Sequence, residues 1–168
     1  MHSTQADIEE FRRQLGKGSI QKAYKTILSF MTRLRTRFAN KYPDIGVSGL
    51  YQGYLDMTYF ALVPPSLKRC NLKVAIVFNY SSFRFEAWLA GRNRNVQQKY
   101  WKLLRDSHWA KYRLVTPAAG IDAIVECCLA SDFDFDNPDA LSSRIEKTTA
   151  AFLEDIERFL LEPERGRR

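Results

Sequence analysis

Residues 72 to 79 read LKVAIVFN, a run in which six of eight side chains are apolar. It is too short to span a membrane, and its β-branched residues favour a strand covered on both faces. Directly after it, Tyr80-Ser81-Ser82 form a turn. Phe83 to Ala90 then alternates Phe83, Phe85, Ala87 and Leu89 against Arg84, Glu86 and Trp88. Period-two alternation is the signature of a strand with one buried face. Before the apolar run, Leu55 to Val63 reads as a further strand, closed by Pro64-Pro65 and a turn through Ser66 to Asn71. Three consecutive strands joined by short turns predict an antiparallel meander ending at Gly91.

The flanking sequence is helical in period. Thr4 is the predicted cap of a short first helix, in which Ile8, Phe11 and Leu15 share a face and Gly16 supplies the stop. Ser19 is the predicted cap of a long second helix whose stripe is Ile20, Ala23, Tyr24, Ile27, Leu28, Met31, Leu34 and Phe38. Lys22, Lys25, Arg33 and Arg37 make its other side basic, and the helix ends before Tyr42-Pro43. After the meander, Asn95 to Ser107 predicts a central helix with Val96, Tyr100, Leu103 and Leu104 inward. Tyr112 to Val115 is a candidate fourth strand. Ile121, Ile124, Val125, Cys128 and Leu129 fit a helix slightly better than a strand. Asn137 and Pro138 open a long C-terminal helix lined by Leu141, Ile145, Phe152, Ile156, Phe159 and Leu160. The expected class is therefore α+β: a three- to four-stranded meander packed with two N-terminal helices, a central helix and a long C-terminal helix.

The 168 residues, 45% hydrophobic, suffice for one core, so a single unit over 1–162 is expected, followed by a charged, disordered tail at 163–168. Three cysteines without a CxxC pair argue against a secreted disulfide framework. With no basic-then-apolar leader and no apolar stretch of membrane length, the expectation is a cytoplasmic, non-membrane chain with reduced thiols. The net charge of +7 is unevenly placed: residues 91–115 carry seven bases against one acid, and 116–168 carry six against twelve. Such bipolarity can steer an anionic partner or simply neutralise itself across the fold or a dimer contact.

Motifs for chemistry begin and then fail. Gly16-Lys17-Gly18 lacks the third glycine of a dinucleotide loop, because position 21 is Gln. Gly46-Val47-Ser48-Gly49 resembles a nucleophile elbow, yet position 50 is Leu. His2 and His108 offer little for a catalytic relay, and common zinc sites lack ligands. Asp132-Phe133-Asp134-Phe135-Asp136 starts like a calcium loop, but Asn137 replaces the turn glycine and Ser143 the bidentate glutamate. In a PD-(D/E)xK nuclease reading, Asp56 and Glu86 would supply carboxylates, but Trp88 stands where the lysine belongs. No cofactor or metal is called for, and the balance leans against an enzyme.

Two surfaces remain. The first is the polar aromatic side of the sheet, with Arg84, Glu86 and Trp88 on one strand and Tyr51, Gln52, Tyr54 and Asp56 near the preceding one. These residues would suit a small polar ligand or a protein partner, although a cross-strand salt bridge under a helix is the plainer reading. The second is the basic segment with Arg92, Arg94, Trp101, Lys102 and Arg105, whose mixed basic and aromatic composition suits single-stranded nucleic acid. Packing of Trp101 on a neighbouring element is favoured over that role.

The stretches QKAYKTILSFMTRLRTRF, SGLYQGYLDMTYFALVPPSLK, LKVAIVF, FRFEAWLAGRNR and IEKTTAAFLEDIERFL together resemble an uncharacterised bacterial family, the domain of unknown function numbered seven thousand. The likeness runs from about Phe11 to Leu161. It implies a standalone cytoplasmic domain with no known reaction, and it draws attention to Tyr51, Gln52, Gly53, Asp56, Arg84, Glu86 and Trp88. The leading expectation is a non-enzymatic ligand-binding or protein-interaction module using the sheet face. The alternative is a nucleic-acid-associated protein, including a degenerate nuclease relative.

Overall fold

The computed structural model describes residues 3–162. The tail expected at 163–168 and His2 lie outside the described residues. Among the described residues are five helices and six strands: α1 (Thr4–Gly16), α2 (Ser19–Lys41), β1 (Gly46–Val47), β2 (Met57–Val63), α3 (Pro65–Arg69), β3 (Leu72–Asn79), β4 (Arg84–Gly91), α4 (Arg94–Asp106), β5 (Arg113–Leu114), β6 (Ala123–Ala130) and α5 (Pro138–Leu161). The strands form one antiparallel sheet in the order β1-β2-β3-β4-β6-β5. The class is α+β, and the expected meander is β2-β3-β4, with β3 spanning the predicted residues.

The sheet has six strands where three or four were expected. Much of the difference is β6, in a segment whose spacing slightly favoured a helix. Its pairing with β4 shifts register between Phe85 and Glu86 and again between Leu89 and Ala90. Each irregularity breaks the two-residue period. Apolar side chains at 121, 124, 125, 128 and 129 therefore imitate helical spacing, while the free edge of β4 provides the hydrogen-bonding partner that makes the segment a strand.

The ends of elements also move. Ser3, and not Thr4, caps α1, its hydroxyl accepting the Ala6 amide. Gly18, with φ of 76°, stands at the cap of α2 in place of Ser19, because the tight link from α1 needs a left-handed residue there. The expected turn after Pro64 is the short helix α3, with Pro65 in its first turn. Phe83 falls outside β4 with φ of 50°. Asn93 and Asn137 cap α4 and α5 through their side chains.

One hydrophobic cluster unites the sheet with its helices. From the meander it takes Phe60, Leu62, Val74, Ile76, Phe78, Phe85, Ala87 and Leu89. These are the residues of one face by register. The cluster takes Phe30, Met31, Leu34 and Phe38 from α2, Tyr100 and Leu104 from α4, and Ile145, Phe152 and Ile156 from α5. Phe85 meets Phe30, Phe78, Phe133 and Phe135 edge-on or tilted, which places both phenylalanines of the acidic run in this packing. The α1 stripe is different: Ile8 and Phe11 are exposed, and no residue of α1 is buried.

Candidate functional site: the open face of the sheet

The other face of the meander contributes nothing to that cluster. Register sets Tyr59, Val77 and Glu86 in one row across the strands and Ala61, Ala75, Trp88 and Glu126 in the next. None of the seven belongs to the cluster or packs against it. Helices α2, α4 and α5 thus lie on one side, and an antiparallel sheet can leave its second side to solvent. Small residues floor this side: Ala61, Ala75 and Val77 are buried beneath half-buried Tyr59 and Trp88. Tyr51 bridges to Tyr59 with ring centroids 5.1 Å apart, which extends the aromatic surface to the sheet edge. At the far end, Lys73, Arg92, Arg94 and Asp122 line a recess of about 240 Å³.

Glu86 organises the centre of the face. Its carboxylate is 2% exposed and accepts four donors: Arg84 Nε at 2.6 Å, Trp88 Nε1 at 2.7 Å, Ser82 Oγ at 2.9 Å and Asn79 Nδ2 at 3.3 Å. Burial pushes its pKa up, and these hydrogen bonds, led by Arg84, more than reverse the effect, so the group stays below the ordinary carboxylate range. The alternation Arg84-Glu86-Trp88 makes the network local, since residues two apart on a strand point the same way. The expected cross-strand bridge under a helix is instead a same-strand bridge on an open face. Cross-strand charge is supplied by Glu126, which pairs with Arg113 and lies 3.9 Å from Arg84.

The remaining candidates of this surface are placed elsewhere. Asp56 does not join Glu86. Its carboxylate accepts the Tyr54 amide at 2.8 Å, and backbone hydrogen bonds from Tyr54 and Met57 hold its pKa down. Thr58 is fully buried on the helix-covered face, bonded to the Gln52 carbonyl and the Tyr80 hydroxyl. Gln52 contributes that carbonyl, and Tyr54 is 90% exposed. Asp56 and Thr58 are on β2 or its approach, with β3 between them and β4. A two-carboxylate metal site is therefore not assembled. Among the described residues no group of three or more His, Cys, Asp or Glu is placed to hold an ion. Ser48, of the failed elbow, accepts the Ala61 amide and donates to the Gly49 carbonyl.

In the basic segment, the Arg94 guanidinium is engaged with Gln97 and with the carbonyls of Ala118 and Ile121, so it pins a loop. Trp101 packs against the core, with the Arg105 guanidinium 4.8 Å over its ring and its Nε1 buried without a partner among the described residues. Both side chains are thus engaged within the chain. Arg92 and Lys102 stay exposed. Sequence reading missed Glu146, which is one residue off the predicted stripe of α5. It is buried and bound by Arg37, Lys41 and Tyr42. It also missed Tyr59, whose position opposite Tyr51 follows only from the pairing at the sheet edge.

The fold and this face define an α+β protein with an antiparallel sheet, covered on one side by helices. Within that class the chain belongs to the family described as Domain of unknown function (DUF7000), whose model matches residues 4–160. No match was found among curated proteins or among solved structures. No helix of the described residues is long and apolar enough to cross a membrane.

Proposed function

We propose that this chain is a non-enzymatic protein-interaction module that docks its partner on the open face of the sheet. The observation that carries this reading is the uncovered surface of Tyr51, Tyr59, Trp88 and Arg84 above a buried, fully bonded Glu86. Tyr, Trp and Arg are the residue types that dominate binding hot spots, and here Arg84 and Trp88 are held in place before any partner arrives. A protein partner is preferred to a small molecule because the aromatic side chains are spread along the face from Tyr51 to Trp88, where a small-molecule site would gather them in one cavity.

The test places a photo-crosslinking amino acid at Tyr51 or Cys128 on this face and, as a control, at Lys147 on α5. Partner capture from the face positions only, with binding of the captured protein weakened at least tenfold by Trp88→Ala, supports the reading. Equal capture from Lys147, or unchanged affinity of Trp88→Ala, removes it. If a small-molecule thermal-shift screen finds a ligand whose effect depends on Arg84 and Trp88, the face is instead a ligand site.

A further inference from the structure

We infer that the recess at the end of β4 binds a phosphate dianion, either the free ion or the monoester of a small molecule. Its walls are the end of β4, the first turn of α4 and the residue before β6, and Lys73, Arg92, Arg94 and Asp122 bring charge to it. Elsewhere on the open face the charges are paired, Arg84 with Glu86 and Arg113 with Glu126. Among the described residues, none of the four charged groups of the recess forms a salt bridge. Three bases against one acid leave two positive charges unmatched there.

The recess is built before any ligand arrives. A Cβ on Gly91 would stand 2.7 Å from the Gln97 amide nitrogen, so the end of β4 and the first turn of α4 are already tightly packed. The Arg92 amide donates to the Asn71 carbonyl at 2.9 Å, which fixes the backbone carrying that side chain. Arg94 is held by Nη1 alone, through Gln97 and the carbonyls of Ala118 and Ile121. Its Nε and Nη2 are left without a bond among the described residues, and that edge of a guanidinium can grip two oxygens of one oxyanion. Charge and size choose the ligand. A phosphomonoester carries about −1.5 to −2 near neutral pH, which answers both unmatched charges, where a carboxylate answers one. The recess of about 240 Å³ is smaller than the roughly 300–1,000 Å³ of sites that enclose a whole drug-sized ligand, so it takes the phosphate and leaves the rest of the molecule outside. A nucleic-acid backbone offers one charge per phosphate and calls for a track of bases along a groove, which a single recess does not supply. The site does not depend on a protein docking on the face.

Calorimetric titration of the full chain at low salt with inorganic phosphate and with methyl phosphate tests the site. Both are expected to bind, and acetate and dimethyl phosphate, each a single charge, are expected to bind more weakly. Tighter binding of methyl phosphate assigns the recess to a monoester, and tighter binding of inorganic phosphate to the free ion. Lys73→Ala and Arg92→Ala should each weaken methyl phosphate by about tenfold or more, the worth of one hydrogen bond to a charged group. Asp122→Asn should tighten it, a gain that damage to the fold cannot produce, and Lys147→Ala on α5 should change nothing. Four results overturn the inference: no binding of either phosphate, acetate bound as tightly as methyl phosphate, an affinity unchanged in both Lys73→Ala and Arg92→Ala, or a thymidine oligonucleotide that binds more tightly than methyl phosphate through the same residues.

Discussion

Arg84 and Glu86 are two residues apart on one face of β4, with the guanidinium Nε 2.6 Å from a carboxylate that is 2% exposed. A charge this buried is tolerable only because its oxygens are bonded, and removing the acceptor strands several donors at once. Glu86→Ala is therefore expected to cost about 2–4 kcal/mol in urea unfolding. Trp88→Phe removes one donor and should cost no more than about 1.5 kcal/mol. Equal costs for the two substitutions would show that the carboxylate is not the hub.

Acid should loosen the join between α2 and α5. Burial pushes the Glu146 pKa up, but hydrogen bonds from Lys41, Tyr42 and Arg37 outweigh this and bring it from 4.5 to about 2. Because the folded value is the lower one, the stabilisation is fully present above the unfolded value of 4.5. It drains away as pH falls towards about 2. Glu146→Gln is expected to lower stability at neutral pH and to flatten the dependence between those limits. Unfolding measured in steps across that window decides it, and a slope identical to wild type would contradict the assignment.

Gly53 has φ of +71°, and a Cβ there would stand 2.0 Å from the Met57 carbonyl oxygen. Gly120 has φ of +77° but nothing within 4 Å. Alanine at Gly120 should thus cost only the left-handed strain, about 1 kcal/mol. At Gly53 the cost should exceed it by about 1 kcal/mol or more, because the backbone itself must move. Hydrogen exchange at Tyr51 and Tyr59, whose amides bond to each other's carbonyls, should accelerate in Gly53→Ala and stay unchanged in Gly120→Ala.

Much of the sheet's centre was legible in the chain. LKVAIVFN marked the strand at the centre of the meander, although no helix covers its second face as the apolar run predicted, and the next run alternated cleanly enough to put Arg84, Glu86 and Trp88 on one face. Local rules suffice there, because strand parity is set by the backbone alone. The same parity, however, could not say which face the helices would choose, so the site was nominated without knowing whether it was covered.

What the sequence by itself determined is the meander, the long helices and the Arg84-Glu86-Trp88 alignment, since each depends on period and neighbours within a few residues. Only the tertiary structure decided that β6 is a strand, because the register shifts that disguise it arise in pairing with β4. It also separated Asp56 from Glu86 by placing β3 between them, and brought Tyr51 onto Tyr59 at the sheet edge. These are relations between distant segments, governed by which backbone edges find partners and which faces the helices bury, and no local spacing encodes them.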